Sequence, residues 1–426
     1  VASPQRPVAM FETLLIAVFV LGYVAITLEH VLDVNKAGVA LLMAVICWIV
    51  MQTVGHHEGA LDHLSEHLAE ISQIILFLLG AMTIVELVSE YRGFDVLQRR
   101  IAEGGVNTVL WVMPFFTFFM SAVLDNVTTT ILMLSILRPL IPKQEVRWKL
   151  AGIVVLTANA GGAWSPIGDV TTTMLWIDDR VSSMSLITHV LVPSIVCAVV
   201  PIVIMAPGIK RDMAGMHPEL QATKPVPFSG TILTLGVSLL LFVPVLKVLT
   251  GLPPYAGMLL GLGVLWVVTD VIDTAAHLKV PHVLGKIDIS SVLFFLGILL
   301  AVAALESAGL LGEAATYLDA TIGDQNIILT LFGLLSSVVD NVPLTAAVMG
   351  MYDVTTYPVD TPVWHLTAFC AGTGGSILVI GSAAGVVAMG MEHISFFWWL
   401  RRIGFLALVG YLAGVASFLA FNGTVG

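Results

Sequence analysis

The chain predicts an all-α polytopic membrane protein made of two inverted repeats. Each repeat holds five transmembrane spans plus one re-entrant hairpin, and broken helices meet at mid-membrane. Three observations lead there. Of 426 residues, 58% are hydrophobic and only 11% charged, and mean hydropathy is +0.97, which excludes a soluble domain. The tetrapeptide Asp125-Asn126-Val127-Thr128 returns as Asp340-Asn341-Val342-Pro343, each time inside an apolar stretch. A later apolar segment then carries a glycine-rich break in each half.

Apolar windows long enough to span, at about 20 residues each, lie near 9-28, 37-54, 70-89, 185-206, 229-249, 255-272, 289-307 and 396-421. Two further windows are interrupted. Residues 149-177 contain Asn159-Ala-Gly-Gly-Ala-Trp-Ser-Pro-Ile-Gly-Asp169, and 362-390 contain Gly372-Thr-Gly-Gly-Ser-Ile-Leu-Val-Ile-Gly-Ser382. Neither stretch holds an unbroken helix, so both read as spans broken at mid-membrane. Segments 106-140 and 326-352 are too polar at their centres, and the second too short, to cross twice. They read as re-entrant hairpins with tips at Asp125-Asn126 and Asp340-Asn341.

Cytoplasmic loops should hold most Lys and Arg. With the N-terminus of the chain outside, the inner loops carry fifteen of the eighteen, leaving Arg6, Arg180 and Lys247 outside. A single crossing at 106-140 would put the basic stretch 138-149 outside, whereas a hairpin keeps both of its ends in the cytoplasm. The halves align at an offset near 213 to 217, pairing Asp125-Asn126 with Asp340-Asn341 and Gly161-Gly162 with Gly374-Gly375. Five crossings per half force the second copy to enter from the opposite side. The expected division is a first repeat over 1-207, with spans 1-5 and hairpin 106-140; a cytoplasmic linker over 208-228; and a second repeat over 229-426, with spans 6-10 and hairpin 326-352. Such inverted repeats are typical of secondary transporters with a midplane site.

A carboxylate at membrane depth is expensive and marks an ion pathway. Around the first break the sequence supplies Asp125, Asn126, Thr128 and Thr129 with Asn159, Ser165, Asp169, Thr171 and Thr172; all offer hard oxygen donors suited to sodium or lithium. Sodium is expected at Asp125, Asn126, Asn159 and Asp169. The second half offers Asp340, Asn341 and Thr345 with Thr373, Ser376 and Ser382, and Ser382 stands where Asp169 does. Asp and Asn also cap helices, so the same residues have a structural use. Glu86, deeper than the other acidic residues of the spans, is a candidate second proton carrier. Most remaining ionisable residues, among them Glu306, His189, His365 and His393, sit near span ends where solvation suffices.

The outer stretch His56-His57-Glu58 through Glu70 carries His63 and His67 at helical spacing, but lacks a zinc-protease signature; it reads as a solvated amphipathic surface helix. Cys47, Cys197 and Cys370 fall in apolar segments without paired spacing and read as packing residues. The net charge of -11 is scattered, with no acidic tail and no ground for a nucleic-acid partner. The chain opens on Val1 rather than Met, compatible with a removed signal peptide, a removed first segment or a trimmed terminus.

The Ser121-Ala-Val-Leu-Asp-Asn-Val-Thr-Thr-Thr130 tip, the Asn159 to Thr172 break and Ser337-Val-Val-Asp-Asn-Val-Pro343 resemble NhaD-type sodium/proton antiporters of the ion transporter superfamily. The resemblance covers nearly the whole chain. In that superfamily the dicarboxylate carriers are similar in plan, with Ser-Asn-Thr at the tips where this chain has Asp-Asn. The resemblance implies a bacterial inner-membrane homodimer with a scaffold and a moving transport domain, active at alkaline pH, without a cofactor. It also implies an asymmetric site, since Gly372 stands near the place matched by Asn159. The expected function is exchange of cytoplasmic sodium or lithium for external protons by alternating access, with Asp340 as proton carrier or second site. The alternative is a sodium-coupled symporter of a small anion or dicarboxylate, using helix N-termini at the same breaks; the crowd of carboxylates, with no Arg or Lys at either break, speaks against it. A channel would need an open pore, and no nucleophile-base pair or nucleotide loop suggests an enzyme.

Overall fold

A backbone in lipid must satisfy its own hydrogen bonds, so apolar runs wind into helices and stop only where protein can take over the freed groups. The computed structural model describes residues 5–54, 59–95, 105, 108–214, 226–272, 280–378 and 381–423, without the side chains of 5–10, 30, 31 and 139. Among these residues there is no strand. His56, His57, Arg99, Arg100, Lys224, Lys279 and most of the linker 208–228 lie outside the described residues.

Among the described residues, besides single turns at Glu29–Leu32 and Val280–Leu284, the fold is carried by α1 (Gln5–Thr27), α2 (Lys36–Thr53), α3 (Ala60–Glu90), α4 (Met113–Leu124), α5 (Asn126–Leu140), α6 (Gln144–Gly162), α7 (Val170–Ile177), α8 (Ser183–Asp212), α9 (Ser229–Thr250), α10 (Pro254–Ile272), α11 (Ile289–Ser307), α12 (Leu310–Thr321), α13 (Gln325–Leu335), α14 (Asn341–Met351), α15 (Pro362–Gly374), α16 (Ala383–Glu392) and α17 (Phe396–Asn422). All eight uninterrupted windows are helices, and seven of the helices are long and apolar enough to cross a membrane. A wider turn at Leu400–Gly404 loosens α17 without ending it. Both interrupted windows break where glycines cluster, after Gly162 and after Gly374. The hairpin segments break after Leu124 and after Leu335.

From Ala60 on, the stretch read as a solvated surface helix is the first part of α3, which runs on unbroken to Glu90. Residues 61–70 are exposed there except Leu64 and His67, which are half-buried; His67 Nε2 lies 3.2 Å from the Ser307 hydroxyl and its ring 6.4 Å from Trp48.

The helices pack as two bundles, each drawn from both halves of the chain. In one, α2 lies against α1 and α11, and α3 against α10 and α11. In the other, α6 packs on α4, α5 and α8; α15 packs on α13, α14 and α17; and α17 lies along α8. Valines such as Val248, Val267 and Val271 face outward from α9 and α10, as a lipid-facing surface requires. Each ion pair joins positions expected on the same side: Lys286 with Glu90 at 2.6 Å and Lys149 with Asp212 at 2.6 Å on the inner side, and Lys247 with Asp179 at 2.7 Å on the outer. Gln325, which opens α13, donates to the Tyr357 hydroxyl, and the Tyr352 ring, just past α14, lies 5.1 Å from Tyr357. The start and end of the second hairpin segment therefore share one neighbour.

Candidate cation site

The segments before Asp125 and before Asp340 are each stapled to a broken helix by matching contacts. Ser121 donates to the Ala158 carbonyl at 2.5 Å, and Ser336 donates to the Ala371 carbonyl at 3.1 Å. A Cβ on Gly161 would collide with the Phe118 carbonyl oxygen, and one on Gly374 with that of Gly333. Glycine is what lets tip and break approach backbone to backbone. Ser165 adds a bond to the Ala122 carbonyl at 2.5 Å.

Asp125 joins α4 to α5 at φ 74°, ψ 161°. That region belongs essentially to glycine and costs about 1–3 kcal/mol for other residues, a strain typical of functional sites. Its carboxylate caps α5: Oδ1 accepts the Thr128 amide and Oδ2 the Thr128 hydroxyl, both at 2.8 Å. Asp340, at an ordinary φ of -52°, caps α14 by accepting the Val342 amide at 3.2 Å. The capping use noted in the sequence is therefore real at both tips, and it leaves each carboxylate at a helix break.

The asparagines join the halves. Asn159 is fully buried; its Oδ1 accepts from Asn126 Nδ2 at 3.1 Å, and its Nδ2 donates to Ser376 and Ser382 at 2.9 and 3.0 Å. Asp169, 3% exposed, accepts on Oδ2 from the Thr171 hydroxyl at 2.8 Å and from Asn341 Nδ2 at 3.0 Å. Asp340 neighbours Asn341, which bonds Asp169, and Asp125 neighbours Asn126, which bonds Asn159, so a carboxylate stands one residue from each contact. Carboxylates held in a low-dielectric site favour a proton or a cation near them. A Cβ on Gly372 would stand 3.4 Å from Asp169 Oδ2 and 3.1 Å from the Ala163 Cβ, so a side chain at the position matched by Asn159 would press on Ala163 and lie against the carboxylate.

Other expected residues lie at the edge of this network. The Thr129 hydroxyl is buried without a hydrogen-bond partner, as is that of Thr130, which the sequence reading left out. Thr172 turns back to the Asp169 carbonyl, Thr345 to that of Asn341 and Thr373 to that of Phe369. Glu86 is not brought to the aspartates; its charged neighbours are Glu90 and Lys286. Among the described residues no group of three or more His, Cys, Asp and Glu could hold a metal ion.

Sequence reasoning also missed Glu392. Buried at the end of α16, it takes Arg138 on Oε1 at 3.1 Å and Arg147 on Oε2, while Trp148 donates to its carbonyl at 2.8 Å. This clamp ties the second broken helix to the exit of the first hairpin segment. A Glu near a span end carries no signal in one sequence.

A family model described as citrate transporter matches residues 23–368. Sodium/proton antiporters 1 and 2 of Arabidopsis thaliana are 49% and 47% identical, each over 95% of this chain and over 71% and 98% of their own length. The Na(+)/H(+) antiporter NhaD of Vibrio cholerae is 30% identical over 95% of this chain and 91% of its own. The chain is a membrane transporter rather than an enzyme; it belongs to the citrate transporter family and is akin over nearly its whole length to NhaD-type sodium/proton antiporters.

Proposed function

We propose that the chain exchanges sodium or lithium for protons by alternating access. The observation that carries this reading is that Asn341, next to Asp340, bonds Asp169, and Asn126, next to Asp125, bonds Asn159, at the breaks of the helices. The relatives named sodium/proton antiporters support it. A cation sits among Asp125, Asn126, Asn159 and Asp169, with Thr128, Thr129, Ser165, Thr171, Thr172, Thr373, Ser376 and Ser382 around it. Protons arriving from outside neutralise the carboxylates and displace the cation; after reorientation they leave to the cytoplasm and sodium is recaptured. Asp340 is the proton carrier or second site.

The repeats are inverted, divided at the linker 208–228, and the N-terminus of the chain lies outside. Shared contacts at Tyr357 and the matching serine staples support that plan. The bundle of α1–α3 with α9–α11 is the scaffold and the other bundle moves. A homodimer in a bacterial inner membrane is carried forward from the resemblance.

The matched family's description favours one rival, sodium-coupled uptake of an anion such as citrate. Purified protein in liposomes distinguishes them. An inward sodium gradient that drives proton movement, unaffected by citrate, is expected; sodium-dependent uptake of labelled citrate without proton movement would replace this reading with the rival.

A further inference from the structure

Lys36 opens α2 in the scaffold bundle, and its Nζ lies 4.0 Å from Asp340 Oδ2 at the tip before α14. Among the described residues this is the only ion pair that Asp125, Asp169 or Asp340 makes, and it crosses from one bundle to the other. The ammonium is also held over the Phe294 ring of α11, 4.6 Å from its centroid, a favourable position for a cation. Asn35 fixes the start of α2: its Oδ1 accepts the Ala37 amide at 2.8 Å and the Ser290 hydroxyl at 3.2 Å.

A lysine at the first position of a helix opposes the helix dipole, so its place there is not explained by α2 itself. Surface pairs such as Lys149 with Asp212 close to 2.6 Å, whereas the Asp340 contact is looser and leaves the ammonium displaceable. Facing Asp340 are Lys36 from α2 and the buried Tyr23 hydroxyl from α1, while Asn341 beside it bonds Asp169.

We propose that Lys36 is an affinity-setting residue: a tethered ammonium on the scaffold that pairs with Asp340 and stands in for a transported cation there. Its positive charge neutralises one of the three aspartates and opposes entry of a second cation. Sodium is thereby confined to the Asp125 and Asp169 side and bound weakly enough to be released. The inference rests on the cation-exchange reading above.

The test is the sodium and lithium dependence of proton exchange in everted vesicles, for native protein, Lys36→Met and Lys36→Cys. In Lys36→Met the sodium KM falls by about three- to tenfold, the scale of one unit charge acting over roughly 12–25 Å of protein at an effective dielectric of about 20. Labelling Lys36→Cys with an aminoethyl thiol reagent restores the native KM, and a neutral reagent of the same size does not. Native exchange together with an unchanged or raised KM in Lys36→Met, or equal KM values for the two labels, would overturn the proposal. Absence of exchange in the native protein would instead overturn the functional reading on which it rests.

Discussion

Asn341 Nδ2 donates to Asp169 Oδ2 at 3.0 Å, so the tip of the second hairpin segment closes on the broken helix of the first half. A buried hydrogen bond to a carboxylate contributes roughly 1.5–3 kcal/mol, so its loss should be felt in transport by about tenfold or more. Asn341→Ala should lower sodium-driven exchange by that factor. Asn341→Asp, which keeps the shape but puts a like charge beside Asp169, should be worse. A tolerated Asn341→Asp would reduce Asn341 to packing.

Asp125 occupies a backbone region suited to glycine. Replacing it with Gly removes strain of about 1–3 kcal/mol and a cap worth about 1 kcal/mol. Asp125→Gly should therefore leave thermal stability in detergent nearly unchanged or raised while exchange disappears. Lost folding with the loss of activity would mean that the carboxylate serves the structure first.

Gly372 leaves Asp169 its space. Gly372→Asn, which restores the residue found at Asn159 in the other half, forces a side chain against Ala163 and the carboxylate. The sodium KM should rise by about tenfold, the scale of a 1.4 kcal/mol loss, as read from the sodium dependence of exchange.

Glu392 is buried between Arg138 and Arg147. Breaking a buried pair by removing one partner typically costs about 3–5 kcal/mol. Glu392→Gln should lower the thermal midpoint by several degrees in detergent, whereas Glu145→Gln, on the exposed first turn of α6, should not.

On the proposed exchange, cation and proton compete for the same carboxylates, so binding one releases the other. The apparent sodium KM should fall as pH rises, with the maximal rate changing less. A KM independent of pH between neutral and alkaline values would separate the two sites.

Apolar windows located all eight uninterrupted helices, and the runs Asn159 to Asp169 and Gly372 to Ser382 located both breaks, because glycine and asparagine leave a signature where a lipid-embedded helix stops. Which donors meet was not legible. Asn159 reaches Ser376 and Ser382 across more than 200 residues, and Lys36 reaches Asp340 across more than 300. Such contacts depend on how two bundles interlock, which no local period encodes. The Thr373 hydroxyl, by contrast, bonds within its own helix, to the Phe369 carbonyl.

Dequenching of a pH-sensitive dye in energised everted vesicles, on adding sodium to native and Asp169→Asn protein, tests the central claim most directly. Sodium-driven proton efflux in the native protein that vanishes in the variant is the predicted result. Efflux of equal size and sodium dependence in both would contradict it, because exchange would then not pass through the carboxylate on which the two halves converge.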